Sequence, residues 1–223
     1  MNEVNFTAWR HSMVQEIALH AASVRDTIGK ALDDRVMEVM DRVPRHEFVP
    51  IELKVYAYVD TPLPIGYGKT ISQPFMVALM TDLLELRRDD RVLEIGTGFG
   101  YQAAILAELA KEVYSIEIIE ELAAEAKGRL GQLGYTNIEA RVSDGYQGWA
   151  QHAPFDKVIV TAAPDLIPPP LLQQLKSGGR MVIPTGIPDN QHLVLVEKDE
   201  NGRAKTREIL PVRFSPLETD DEF

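Results

Sequence analysis

The residues able to carry chemistry cluster at a few places in the chain. "LEIGTGFGYQ" sets Gly96, Gly98 and Gly100 directly after a strand-like run and at the start of a helix-like one. Glycines in that position allow a tight turn and a close approach of backbone to ligand, and a strand–turn–helix context is where such a turn binds something. Glu117 closes the next strand-like run, "EVYSIEI", and Asp144-Gly145 closes the one after, "IEARVSD". A carboxylate at the second strand end can accept from both hydroxyls of a ribose, and one at the third can accept from an adenine amino group. The alternative for Asp144-Gly145 is a plain Asp-Gly turn. Glu120 and Glu121 follow in the same segment and suit the first turn of a helix, where they favour its dipole.

The spacing is G-x-G-x-G, whereas dinucleotide-binding turns use G-x-G-x-x-G. Glu94 stands two residues before Gly96, at the mouth of the turn. A carboxylate there opposes a pyrophosphate, which needs free N–H groups at a helix start. It suits a ligand with an ammonium, a sulfonium and no phosphate, which describes S-adenosylmethionine. The competing reading leaves Glu94 solvated or paired with a Lys or Arg.

Ser72, in "YGKTISQPFMVALMTDLLEL", begins an apolar helix-like run. It reads either as the cap of that helix or as a hydroxyl projecting into a cleft. No general base accompanies it. The chain has no Cys, its histidines (11, 20, 46, 152 and 192) have neither i, i+4 pairing nor metal-ligand spacing, and no G-x-S-x-G elbow occurs. The fourth strand is followed by "TAAPD", not the Asn/Asp-Pro-Pro-aromatic of many nitrogen methyltransferases. A carboxylate acceptor explains the missing base: it is already ionised at neutral pH, so the enzyme need only orient and desolvate it.

The elements that must hold these residues follow from periodicity. Residues 5 to 42 read as two helices, with Met13 and Ile17 on one apolar face and Val36, Val39 and Met40 on the other. "DTPLPIGYGKT" reads as loop from its prolines and glycines, and a helix spans about Gln73 to Leu86. From Arg91 strands and helices alternate: "RVLEI", "EVYSIEI", "IEARVSD", "FDKVIV" and "RMVIP", with "PPPLLQQLKSGG" reading as a helix from its prolines to its glycines. Alternation of this kind predicts an α/β fold, a doubly wound and mostly parallel sheet. Asn201-Gly202 between two strand-like runs predicts a C-terminal hairpin. One domain over 1–223 is expected: a helical region to residue 66, a cofactor-binding core over 67–190, and a hairpin and tail over 191–223.

The net charge of −11, from 34 acidic and 23 basic residues, disfavours nucleic acid as a partner, since phosphate binding needs a basic stripe. No apolar run reaches the roughly 18 residues of a membrane span, and the N-terminus lacks the pattern of a signal peptide. The absence of cysteine fits a reducing compartment, so a cytoplasmic protein is expected.

With these residues in view, the sequence resembles the protein-L-isoaspartate (D-aspartate) O-methyltransferases. The matching stretches run in family order over about residues 25 to 217: "RVMEVMDRVPRHEFVP", "YVDTPLPIGYGKTISQPFMVALM", "VLEIGTGFGYQAAILAEL", "VSDGYQGW", "APFDKVIVTAAP", "LKSGGRMVIPTG" and "PVRFSPL". "TISQP" is the most family-specific of them. The resemblance implies a Rossmann-like S-adenosylmethionine-dependent fold and methylation of the free α-carboxylate of isoaspartyl residues in age-damaged proteins and peptides, by a monomer. It implies Ser72 as the active-site serine and Ile71, Ser72 and Val212 as substrate-binding. It implies Gly96, Gly98, Phe99, Gly100, Glu117, Asp144 and Gly145 as cofactor positions, and no metal. Two departures stand out: Phe99 where similar members often have Ser, and Ser143 where they often have Gly. Phe99 would remove a hydroxyl contact to the methionine moiety, touching cofactor affinity and not the fold. The competing readings are another carboxyl O-methyltransferase and a non-catalytic S-adenosylmethionine-binding module. An NAD-dependent oxidoreductase is disfavoured by the glycine spacing and Glu94.

Overall fold

The computed structural model describes residues 5–220. Helix α1 spans Phe6–Ser23, capped by the Asn5 side chain accepting from Ala8 N at 3.0 Å, and buries Met13, Ile17 and Ala21. The short α2 (Arg25–Ile28) ends at Gly29, whose φ of 83° suits a residue without Cβ. In α3 (Asp34–Arg42), Asp33 caps the start and Val36, Val39 and Met40 are buried, as their spacing predicts.

The Pro- and Gly-rich stretch expected to be loop is a hairpin. β1 (Leu63–Gly66) pairs antiparallel with β2 (Lys69–Ile71). Tyr67 and Gly68 form the turn, both at positive φ (54° and 69°), the backbone hand that a two-residue hairpin turn requires. Pro64 is tolerated because the pair forms its own two-stranded sheet, where most backbone groups are at an edge. Directly after it, α4 (Pro74–Leu84) opens with proline at the first helical position and is buried along its whole length. Its two buried polar residues are matched: Thr81 Oγ1 accepts from Gln102 Nε2 at 2.9 Å, and Asp82 from Asp33 N at 2.7 Å and from Lys30 at 3.2 Å.

The core sheet then runs β3 (Arg91–Ile95), α5 (Tyr101–Leu109), β4 (Glu112–Glu117), α6 (Glu120–Gln132), β5 (Ile138–Val142), β6 (Phe155–Val160), α7 (Pro169–Gln174), β7 (Leu175–Ile187), β8 (Asn190–Lys198) and β9 (Ala204–Val212). Its seven strands lie in the order β5-β4-β3-β6-β7-β8-β9. β5 to β7 are parallel, and β8 and β9 add antiparallel at one edge through a turn at Asn201-Gly202. Two apolar clusters cover the faces. One includes α4, α5 and the N-terminal helices; the other gathers Leu93, Ile95, Trp149, Phe155 and Leu171.

The segment "PPPLLQQLKSGG" departs from its expected form. The helix stops at Gln174, and Leu175 already pairs with Phe155 of β6. The glycines do not end a helix; they lie in a register shift within β7, where a Cβ on Gly179 would meet the carbonyl oxygens of Lys176 and Asp156 at 2.7 and 2.8 Å. Pairing with β6 outweighs the local proline–glycine signal.

Candidate active site

In an open α/β sheet ligands bind at the carboxyl ends of the strands where the order reverses. Here the chain leaves β3 for β4 and β5 on one side and returns to β6 on the other. A cavity of about 690 Å³ opens at that point, walled by Ile95, Gly96 and Gly98 after β3, Glu117 at the end of β4, Gly145 after β5, and Thr161 after β6. Such a volume suits a nucleoside-sized ligand with room beyond it.

The turn is built by mutual bonds. Gly96, at φ 93°, has no space for a side chain, because a Cβ would collide with Thr161 Oγ1, which itself donates to the carbonyls of Ile95 and Gly96 (3.0 and 2.8 Å). Gly96 N and Thr97 N both donate to Ile116 O (2.8 and 3.3 Å), and Gly100 N to Thr97 O (2.8 Å). The Glu117 carboxylate accepts from Gly98 N (2.8 Å), Ile118 N (3.0 Å) and Ile119 N (3.1 Å). The amides of Gly96, Thr97, Gly98 and Gly100 are therefore already engaged within the turn, and among the described residues no Lys or Arg lines this end of the cavity. Three amides leave one acceptor position on the four-lone-pair carboxylate of Glu117, open to a hydroxyl donor.

Glu94 does not take the position expected of it. It is neither at the mouth of the turn nor solvated nor paired with a base, but fully buried within β3. Its Oε2 is hydrogen-bonded to Ser115 Oγ, which continues to Thr97 Oγ1 at 2.6 Å, and Oε1 has no partner among the described residues. Burial pushes its pKa up to about 8, the Ser115 bond pulling it down and the charge of Glu117 adding to the rise. At neutral pH the acid form predominates, so Glu94 adds no negative charge here and Glu117 is the carboxylate that lines this end of the cavity.

The far end of the cavity lies away from the glycine turn. Thr70, Ser72 and Gln73 line it as the chain passes from β2 into α4. Ser72 is not the cap of α4: the cap position is Gln73, and no side chain of its own closes the helix start. Asp60 does so from a distance, accepting from Phe75 N at 2.8 Å through Oδ1 and from Gln73 Nε2 at 3.0 Å through Oδ2. The half-buried Ser72 hydroxyl is left to face the cavity. Above it lie Val212, at the end of β9, and the segment 213–218. That segment is bound to the frame by Gln191, which accepts from Phe214 N (2.6 Å) and donates to Phe214 O (3.1 Å). Ala163 also exchanges backbone bonds with Ser215 and Leu217, and Glu218 pairs with Lys69 at 2.5 Å.

Of the residues singled out in the sequence, the cavity brings together Ser72, Gly96, Gly98, Glu117, Gly145 and Val212. Four others do not reach its wall. Ile71 is buried in the core cluster and fixes the strand from which Thr70 and Ser72 project. The Phe99 ring lies under the Arg129 guanidinium, 4.4 Å from its centroid. Gly100 makes room for Leu130, which a Cβ would meet at 3.1 Å. The Asp144 side chain accepts from Tyr146 N at 2.8 Å and so shapes the turn that presents Gly145. Residues not anticipated are Thr161, Lys69, and His20 and Val24 at the end of α1. His20 carried a signal: it falls on the stripe Met13, Ile17, Ala21, as a polar residue on a face otherwise turned inward.

Residues 22–222 match the family described as Protein-L-isoaspartate(D-aspartate) O-methyltransferase (PCMT). The chain belongs to this methyltransferase family. Among similar proteins, the protein-L-isoaspartate O-methyltransferase 1 of a Polaromonas species is 64% identical over 98% of this chain and 93% of its own length. The protein-L-isoaspartate O-methyltransferase 2 of Syntrophobacter fumaroxidans is 62% identical over 95% and 87%. A solved protein-L-isoaspartate O-methyltransferase aligns with a TM-score of 0.81 at 27% identity, covering 95% of this chain and 66% of the other. The Rossmann-like methyltransferase fold expected of the family is the one observed.

Proposed function

We propose that this methyltransferase uses S-adenosylmethionine to methylate the free carboxylate of damaged residues, the α-carboxylate of L-isoaspartyl and the side-chain carboxylate of D-aspartyl, the first step of their repair. The observation that carries this reading is the single cavity joining the Gly96–Glu117 turn to the Ser72 hydroxyl. When bound, the cofactor supplies a methyl carbon made electrophilic by its sulfonium, and an ionised carboxylate is the nucleophile. The chain's part is placement. Glu117 and the glycine turn hold the nucleoside, and Ser72 donates to the acceptor carboxylate and orients it. Val212 and the segment 213–218 complete the wall at this end and confine the acceptor beside Ser72. No residue has to remove a proton, since the acceptor carboxylate is already ionised at neutral pH.

Methylation turns a poor electrophile into an ester. The neighbouring peptide nitrogen then attacks the ester carbonyl, its proton leaves with methoxide as methanol, and the resulting succinimide hydrolyses in part to normal aspartate. An isoaspartyl peptide incubated with methyl-labelled cofactor should therefore acquire a label that is released as volatile methanol at mildly alkaline pH, while the aspartyl twin stays unlabelled. A label stable to base would mean nitrogen or ether methylation; cofactor binding without any label would mean a binding module.

Ser72→Ala should lower kcat at least about tenfold, because an acceptor that is no longer oriented leaves the near-attack geometry, with cofactor Kd unchanged. Because Asp60 caps α4, melting temperature should also stay near wild type. A loss of stability with unaltered turnover would return Ser72 to a structural role.

A further inference from the structure

The N-terminal helix contributes a polar group to the acceptor end that neither the glycine turn nor "TISQP" explains. His20 lies ahead of the family-matching residues 22–222, yet its ring lines the cavity. The ring is fixed on two sides. It stacks on Phe75 of α4, with centroids 3.8 Å apart and planes 16° from parallel, and its Nδ1 lies 3.1 Å from Asp60 Oδ2. Asp60 is itself held by Phe75 N and Gln73 Nε2, so the imidazole is anchored to the same group that sets the start of α4 next to Ser72. A side chain 38% exposed and packed only for filling would not need such orientation. Its Nε2 has no hydrogen-bond partner among the described residues.

We infer that His20 is a substrate-binding residue, whose Nε2 accepts an N–H of the isoaspartyl peptide backbone and so registers the chain against Ser72. The assignment rests on the functional reading above, since it presumes a peptide at this end of the cavity. A carboxylate can only accept, so contact with Asp60 selects the tautomer with its proton on Nδ1, in which Nε2 is an acceptor. An acceptor is also the better partner here. A cation held against the attacking carboxylate would stabilise it most in the ground state and lose the attraction as the ester forms, which slows the chemical step. Binding a backbone N–H costs nothing of that kind and is independent of the residues flanking the damage. It therefore fits an enzyme whose substrates share a linkage and not a sequence.

The test is steady-state kinetics on an isoaspartyl peptide with His20→Phe and His20→Ala, alongside calorimetry with S-adenosylmethionine. Phenylalanine preserves the stack on Phe75 and removes the nitrogen. Both variants should raise the peptide KM about tenfold, the effect of one hydrogen bond, with kcat within about twofold and cofactor Kd unchanged. In a set of peptides N-methylated one amide at a time, one position should cost the wild type the same factor and cost His20→Phe nothing more. If His20→Phe keeps the wild-type KM while His20→Ala does not, the ring only packs and the assignment is wrong. A parallel loss of cofactor affinity would overturn it as well. A wild-type protein that binds cofactor but leaves the isoaspartyl peptide unmethylated would fail at the earlier step, refuting the functional reading and the named substrate with it.

Discussion

Glu117→Ala is expected to weaken S-adenosylmethionine binding by about 1.5–3 kcal/mol, roughly 10- to 100-fold in Kd. The residue does two things at once. On the proposed reading it presents the acceptor for the ribose hydroxyls, and in the structure it holds Gly98 N, Ile118 N and Ile119 N at 2.8 to 3.1 Å. Alanine removes the ligand contact and leaves three amides without their partner, so the variant should also lose about 2 kcal/mol of stability. Calorimetry and denaturant melts on the same preparation separate the two effects. Unchanged cofactor affinity in a folded variant would sink the ribose assignment. Unchanged stability with weakened binding would mean that water satisfies the freed amides.

A second large effect belongs to Glu94, and its size depends on pH. The ordinary carboxyl value is 4.5, and burial in the folded protein moves it to about 8. Below about pH 4.5 the group is protonated in both states and its contribution to folding is complete. As pH rises from there to 8, the unfolded chain releases the proton and the folded chain keeps it, so stability drains away at up to about 1.4 kcal/mol per pH unit. Glutamine cannot ionise and can keep a bond to Ser115. Glu94→Gln should therefore match the wild type near pH 5 to within about 1 kcal/mol and exceed it by several kcal/mol at pH 8. Urea melts of both proteins without cofactor, at pH 5, 6.5 and 8, read this directly. Parallel stability profiles would show that Glu94 is ionised and compensated in the fold.

These two carboxylates mark the boundary between what was legible in the chain and what was not. Glu117 was readable because its signal is local: a strand run, a carboxylate at its end, and a glycine turn one strand earlier. The same holds for the apolar stripes of α1 and α3 and for the hairpin at Asn201-Gly202, where spacing or a turn dipeptide dictates the conformation. From these the sheet class, its switch point and the grouping of Gly96, Gly98, Glu117 and Gly145 at one end of the cavity followed. Glu94 was not readable. A parallel strand covered on both faces has no alternation to say which side is wet, so a carboxylate between Leu93 and Ile95 looks the same whether it meets a ligand or a buried serine. Phe99 was set in the ligand's path by its position in the motif, while the tertiary neighbour Arg129 determines where its ring lies.

The acceptor end was decided almost entirely in three dimensions. Local sequence allowed Ser72 to be a cap. The structure gives that task to Asp60, fifteen residues from the amide it binds, and frees the hydroxyl for the cavity. The prolines and glycines of "DTPLPIGYGKT" signal turns correctly but cannot reveal that the two short runs between them pair. The glycines of "LKSGG" break a helix only if one is still running, and pairing of Leu175 with Phe155 had already ended it. His20 and the segment 213–218 are about 190 residues apart and close over the same cavity because α1 packs on α4 and β9 returns beside β8. Sequence periodicity reports which face of an element is buried. It does not report what that face is buried against, and in this protein that second fact builds half of the site.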